Sequence, residues 1–161
     1  GVAQRERAAA VGHDMAASRG HVVERLAAKP SFGNMLVWKI VYESDGKFFV
    51  DAVRLGLDSR RYPGASVNKL DVRRDLPWLQ PDTQQARDVE RFRWFSGDYL
   101  ALSGKNTITD IRFSLAPNAI EGLWHIVLDP HADPHQHVRY ATPRSPAESR
   151  WTGLRDMLLG N

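Results

Sequence analysis

Two runs of β-branched and aromatic residues, joined by a short polar turn, constrain the fold of this chain most. The runs cover residues 35–43 and 47–55 and are rich in Val, Ile, Phe, Tyr and Trp, which favour extended backbone. Between them, the turn at residues 44–46 contains a glycine that can adopt positive φ. One face of the first run carries four apolar side chains, Leu36, Trp38, Ile40 and Tyr42. The pattern predicts a β-hairpin with Trp38 and Ile40 buried on one face and with a second, partly solvated face.

Two further segments before residue 100 have helical patterns. Residues 3–19 are rich in Ala, Arg and Glu, and Gly20 is well placed to end a helix there. A second helix is predicted to begin with Asp82 as its N-cap and Gln85 in capping-box spacing, and to end at Gly97. Its apolar stripe consists of Val89, Phe92 and Phe95.

The C-terminal residues carry the clearest helix-start signal of the chain. Ser145 can serve as an N-cap, with Pro146 at the first helical position and Glu148 in the first turn. The apolar side chains that follow at helical spacing are Trp151, Leu154 and Leu158. We therefore predict a C-terminal helix from residue 145.

The remaining segments complete the predicted fold class. Residues 22–29 favour a short strand, residues 56–80 have the Pro and Gly content of a loop, and three more strands are predicted at 107–114, 122–128 and 137–141. Helix, hairpin, helix, strands and helix together indicate an α+β fold with a mainly antiparallel sheet and a central hairpin, packed with N-terminal, middle and C-terminal helices. We expect residues 1–20 to form an N-terminal helix and residues 21–161 a single α+β domain.

Composition excludes several classes of site and partner. The 161 residues include no cysteine, which excludes disulfides, thiolate zinc sites, iron–sulfur clusters and a cysteine nucleophile. The net charge is only +3, and basic residues alternate with acidic ones, which argues against a nucleic-acid partner. No stretch reaches the roughly 18 consecutive apolar residues of a membrane span.

A cluster of histidines and aspartates between the last two predicted strands is the strongest candidate for a site. Three His and two Asp occur within nine residues, Asp129, His131, Asp133, His135 and His137. Imidazole and carboxylate groups are ligands of zinc and similar divalent metals. The predicted metal ligands are His131, Asp133, His135 and His137, with an affinity that falls as the pH falls through about 6.5, where imidazole gains a proton. The alternative is a polar surface loop stiffened by two prolines.

Other candidates for chemistry are weaker. Ser66 and Lys69 match the S-x-x-K spacing of some acyl-enzymes, but they lie in a segment predicted to be a loop rather than at the start of a buried helix. His125, inside an apolar strand, is expected to be a structural histidine with its nitrogens hydrogen-bonded. Four tryptophans (38, 94, 124 and 151) are expected to pack in the core, and Trp78 to close the core from a loop or to remain exposed for a partner.

Several short motifs resemble a known family. They are RLAAKPSFGNMLVWK at 25–39, VY at 41–42, VDAV at 50–53 and FRWFSGDY at 92–99. In these motifs the chain resembles the C-terminal soluble region of the YdjM-like bacterial inner-membrane proteins, which are described as membrane-bound metal-dependent hydrolases. The likeness covers most of residues 15–128, and Lys39 stands where the family pattern has Arg.

The resemblance implies an accessory role. The His and Asp motifs of that family lie in its N-terminal, membrane-embedded half, so none of them maps onto a residue of this chain. We expect an accessory or substrate-binding domain of an inner-membrane hydrolase, on the cytoplasmic or the periplasmic side, that is not catalytic by itself. The N-terminal membrane region of the same protein would be its partner, and its first helix would continue from the last membrane span. The start at Gly1 without Met agrees with a piece of a longer protein. The alternative is a non-catalytic protein-interaction module.

Overall fold

The computed structural model describes residues 1–31, 36–114 and 116–141. The helices are α1 (Val2–Ser18), α2 (Val72–Asp75) and α3 (Gln84–Phe95). The strands are β1 (Arg25–Pro30), β2 (Val37–Ser44), β3 (Lys47–Arg54), β4 (Arg60–Asn68), β5 (Leu100–Gly104), β6 (Thr107–Asp110), β7 (His125–Val127) and β8 (Arg139–Ala141). The helix predicted from Ser145 lies outside the described residues.

The strands form two antiparallel sheets. Sheet A has the order β1-β2-β3-β4, and sheet B has the order β5-β6-β7-β8, so each strand pairs with its neighbours along the chain. The predicted α+β class is confirmed. The strands are divided between two sheets, however, and not collected in the one sheet that the sequence predicted.

Strands β2 and β3 pair along their whole length, from Val37 opposite Arg54 to Ser44 opposite Lys47. Asp45 and Gly46 join them with φ of 51° and 70°, the backbone that a two-residue hairpin turn requires. Trp38 and Ile40 are buried on the same face, as the alternation predicts.

The second face of β2 is buried as well, which corrects the expectation of a partly solvated face. All eight residues of β2 are buried, including Lys39 and Glu43. The reason is that sheet B packs against this face. Val41, Phe48 and Val50 of sheet A share one apolar cluster with three residues of the second half of the chain, Tyr99, Ala101 and Ile111.

The elements stack in four layers, which are α1, sheet A, sheet B and α3. Helix α1 packs its small residues on Trp38, Ile40 and Tyr42 of sheet A. A Cβ at Gly12 would lie 2.7 Å from Ile40 Cγ2, so the glycine allows this close approach. On the far side of sheet B, Val89 and Phe92 of α3 share a cluster with Leu100, Ile108 and Ile126.

Residues 56–80 contain structure where the sequence predicted a loop. They form the edge strand β4 and the single-turn helix α2. Pro63 and Gly64 conceal β4 because they interrupt its alternation, and both are compatible with an edge strand at a bulge. The register shifts beside Val50, and a Cβ at Gly64 would lie only 2.0 Å from the Val50 carbonyl oxygen.

Three smaller predictions also need correction. Strand β5, with the sequence LALSG, was not predicted, because it contains no β-branched or aromatic residue. The N-cap of α3 is Thr83 and not Asp82, since Thr83 Oγ1 accepts a hydrogen bond from the Ala86 amide. Phe95 is exposed and does not continue the buried stripe of α3.

The tryptophans are less buried than predicted. Trp38 is buried, but Trp94 is 84% exposed and Trp124 is 50% exposed. Trp78, predicted either to close the core or to remain exposed for a partner, is half-buried and packs against the cluster between sheet B and α3. Trp151 lies outside the described residues.

Candidate functional site

Lys39 is a buried lysine between the two sheets. Its residue is only 2% exposed, because its side chain leaves β2 on the face that sheet B covers. The ammonium Nζ donates to Ser114 Oγ at 2.8 Å and to the Ala119 carbonyl oxygen at 2.7 Å. Both partners belong to the segment that follows β6, so the packing of the second half of the chain creates this environment.

Burial without a paired carboxylate sets the protonation of Lys39, because both of its hydrogen-bond partners are neutral. Burial lowers the pKa of Lys39 to about 7, and the charge of Asp110 opposes this change only in part. Asp110 is itself buried and is held by Arg112, whose Nη2 lies 2.8 Å from Asp110 Oδ2. The acidic group that acts on Lys39 is therefore paired with another cation.

A small cavity of about 50 Å³ adjoins Lys39. We call it the Lys39 pocket, lined by Ser31, Lys39, Arg112, Phe113, Ser114 and Trp124 among others. Ser31 Oγ is buried and has no hydrogen-bond partner among the described residues. A protonated Lys39 has a third N–H beyond the two that it uses. The pocket thus combines a cation with hydrogen-bonding capacity that the described residues leave unused.

The Lys39–Ser114 contact is not arranged for nucleophilic catalysis. Ser114 Oγ donates its proton to the Ala116 carbonyl oxygen at 2.6 Å and accepts a hydrogen bond from Lys39. A serine nucleophile would instead have to donate its proton to the neutral lysine. The geometry provides donors for a bound group and no activated hydroxyl.

The predicted metal ligands lie in a polar segment whose aspartates bind backbone amides. Asp129 Oδ1 accepts from the His131 amide at 2.9 Å, and Asp133 Oδ1 accepts from the His135 amide at 2.9 Å. Among the residues that the structure describes, no three His, Cys, Asp or Glu side chains are grouped so that they could hold a metal ion. A zinc site formed by His131, Asp133, His135 and His137 stays a prediction.

Helix α3 anchors this segment, which the sequence did not indicate. The Gln85 side chain donates to the Asp129 carbonyl oxygen and accepts from the Asp129 amide, both at 2.9 Å. The buried Asp88 carboxylate lies 2.8 Å from His137 Nδ1 and accepts from the Val138 amide at 3.1 Å. The available signal for these contacts was the occurrence of two polar residues, Gln85 and Asp88, on the buried side of α3.

Sequence reasoning also missed the Lys39 pocket, because its polar groups come from distant parts of the chain. Lys39 and Ser114 are 75 residues apart. The available signal was a lysine between Val37 and Val41 on one face of a strand. His125 is buried as expected, but its Nδ1 has no partner among the described residues.

A second feature is an apolar groove at the surface. It encloses about 460 Å³ between the end of α3 and strands β7 and β8, and we call it the aromatic groove; it is lined by Arg91, Phe92, Phe95, Trp124 and Tyr140. Phe95, Trp124 and Tyr140 are all exposed. A cluster of exposed aromatic residues of this kind is typical of a binding surface.

Comparison with protein-family models, with curated proteins and with solved structures finds no match for this chain. In the described parts of the chain, none of the helices combines the length and the apolar character that a membrane span needs.

Proposed function

We propose that this chain is a C-terminal accessory, ligand-binding domain of a YdjM-like, membrane-bound metal-dependent hydrolase of the bacterial inner membrane. It holds an anionic group in the Lys39 pocket and is not catalytic by itself. The N-terminal membrane region of the same protein is its partner. The motif resemblance supports the family, and the buried lysine with neutral hydrogen-bond partners carries the binding role.

The energetics of Lys39 favour an anionic ligand. A buried ammonium loses several kcal/mol of hydration free energy unless an opposite charge compensates for it. Ser114 and Ala119 provide dipoles but no charge, and Asp110 is bound to Arg112. An anion that enters the pocket supplies the missing charge and binds the protonated form of Lys39.

The size of the pocket limits what enters it. A volume of about 50 Å³ is far below the roughly 300–1,000 Å³ of sites that enclose a whole organic ligand. It suits a group of a few atoms, since one water takes about 30 Å³ in the liquid. A carboxylate matches the donors, because one oxygen can accept from Lys39 and the other from the unpaired hydroxyl of Ser31.

We expect acetate to raise the pKa of Lys39 above its value of about 7. The rise should be about one unit, as is usual for an opposite charge in contact. The measurement is an NMR pH titration of the protein with ¹³C-labelled lysine, in sodium acetate and in sodium chloride at equal ionic strength. The Lys39→Met spectrum assigns the signal, and the exposed Lys47 is the internal control.

The Ser31→Ala variant should show a smaller acetate effect, because it lacks the second donor. Identical Lys39 titrations in acetate and chloride would contradict the proposal. An equal shift at Lys47 would contradict it too, since it would mean that acetate acts on every lysine.

A non-catalytic protein-interaction module is the second candidate function, favoured by the aromatic groove. Its exposed side chains would pack on an apolar segment of the N-terminal membrane region. In the longer protein, a photoreactive phenylalanine analogue at Phe95, which lines the groove, should cross-link to that region, whereas the same analogue at Leu57, which is exposed outside the groove, should not. Equal cross-linking from both positions would contradict this function.

A further inference from the structure

A large groove lies between α2, the turn that follows it, and α3. It encloses about 920 Å³, which is within the range of sites that bind organic ligands. Its floor includes Leu76 and Val89, which are buried, and its sides include Val72 and Leu79, which are half-buried. We call it the α2–α3 groove. It is distinct from the Lys39 pocket, with which it shares no lining residue.

The floor of the groove is part of the core. Leu76 and Val89 belong to the same cluster as Leu100 and Ile108 of sheet B. Their positions are therefore set by the packing between α3 and sheet B and do not depend on a ligand. The half-buried side chains of Val72 and Leu79 rest on this fixed floor, so an apolar group in the groove would contact a preformed surface, which reduces the entropy lost on binding.

The wall opposite α3 is also preformed. Pro77 and Pro81 both line the groove and restrict φ in the connection between α2 and α3. Between them, the Leu79 amide donates to the Leu76 carbonyl oxygen at 3.0 Å, which closes a turn. The connection thus has few conformations to lose when a ligand binds.

The rim of the groove carries three arginines whose charges are balanced differently, Arg73, Arg87 and Arg93. Arg93 lies 3.2 Å from Glu90 and 3.2 Å from Asp98, so acidic groups neutralise it.

Arg87 donates to the Asp82 carbonyl oxygen at 3.1 Å and to the Gln84 amide oxygen at 3.2 Å, both of which are neutral. Arg73 has no ion pair within the described ranges, in contrast to its neighbour Arg74, which pairs with Asp75. Asp71 also lines the groove, where its Oδ1 accepts from the Arg74 amide at 3.1 Å. Two guanidinium groups, one on α2 and one on α3, therefore border the groove without an ion pair among the described residues.

We infer that the α2–α3 groove binds an amphipathic anion, whose apolar chain packs against Val72 and Leu79 and whose carboxylate or phosphate is bound by Arg73 and Arg87. The planar donor pattern of guanidinium suits both kinds of head group. The apolar lining favours the chain, and the two arginines without ion pairs favour the negative charge. Neither feature by itself identifies the ligand class, but the groove contains both.

Calorimetric titration with dodecanoate, below the concentration at which it forms micelles, tests this inference. We expect one dodecanoate per chain, bound at least about tenfold more tightly than dodecyl maltoside, which has the same chain and a neutral head group. The double variant Arg73→Gln/Arg87→Gln should lose that tenfold preference and bind the maltoside unchanged. Arg60→Gln/Arg61→Gln is the matched control, because it removes the same charge from the exposed edge strand β4.

Four outcomes would overturn the inference. They are no dodecanoate binding, equal binding of dodecanoate and the maltoside, equal weakening by the two double variants, and loss of dodecanoate binding in Lys39→Met. The last would mean that the carboxylate enters the Lys39 pocket instead.

The Lys39→Met variant is expected to retain dodecanoate binding, which separates this groove from the proposed function. Inorganic phosphate and dodecyl phosphate, added as competitors, distinguish a free anion from an anionic head group on a chain, and only the second should displace dodecanoate.

Discussion

Between about pH 6.5 and 9.5, the free energy of unfolding should rise by about 3 kcal/mol more in the wild type than in the Lys39→Met variant. The folded-state pKa of Lys39 is about 7, whereas an unfolded lysine titrates near 10.4. Between these values the unfolded chain binds more protons, so the free energy of unfolding rises with pH. Below the folded pKa both states are protonated, and the full penalty for burying the ammonium is present. The measurement is urea unfolding of both proteins over this pH range.

The difference between the wild type and Lys39→Met reports the titration of Lys39 alone, because all other groups titrate in both proteins. Lys47→Met, at an exposed position of the same sheet, is the matched control and should leave the pH dependence unchanged. If Lys39→Met and the wild type gain the same stability over this range, Lys39 is not a lysine with a lowered pKa. An anionic ligand would then have no buried, uncompensated charge to bind.

The second large effect is expected for Arg19→Met, which should lower the free energy of unfolding by about 3–5 kcal/mol. Asp51 is 2% exposed, and Arg19 holds its two carboxylate oxygens at 2.7 and 2.9 Å. The Gly64 amide donates to the same carboxylate at 3.1 Å, and Arg19 also donates to the Tyr42 hydroxyl at 3.1 Å. Removal of the guanidinium leaves a buried carboxylate without its cation. Denaturant unfolding at neutral pH measures the loss.

Two further variants define the origin of this loss. Arg74→Met removes an arginine from an exposed pair with Asp75 and should change the stability little. Arg19→Met/Asp51→Asn removes the buried charge together with its partner and should recover part of the loss. An equal effect of Arg19→Met and Arg74→Met would contradict the assignment of Arg19 and Asp51 as a structural ion pair.

The agreement between sequence and structure is greatest where the pattern is local. The alternation around Trp38 and Ile40 and the turn glycine Gly46 correspond to the paired strands β2 and β3. Helix α1 matches the alanine-rich segment within one residue at each end. Strands β6, β7 and β8 lie inside the predicted ranges, although each is shorter.

The disagreements occur where a neighbour distant in sequence decides the outcome. Strand β4 pairs with β3 in spite of Pro63 and Gly64, because the bulge and the free edge accommodate both residues. Trp124 has the apolar character of a core residue but lies at the aromatic groove, which no described element covers, and Trp94 is exposed on α3. Tertiary packing determines burial, and a hydrophobic residue on a predicted face is not buried unless another element packs against that face.

The amino-acid pattern is sufficient to predict which residues are extended and which are helical around β2, β3 and α1, because side-chain periodicity and turn chemistry act between residues close in the chain. The coverage of both faces of sheet A and the burial of Lys39 arise only when the two halves of the chain pack together. The burial and the pKa of Lys39 depend on Ser114, Ala119 and Asp110, which are more than 70 residues away. An electrostatic environment is a property of groups close in space, and the order of residues along the chain does not contain it.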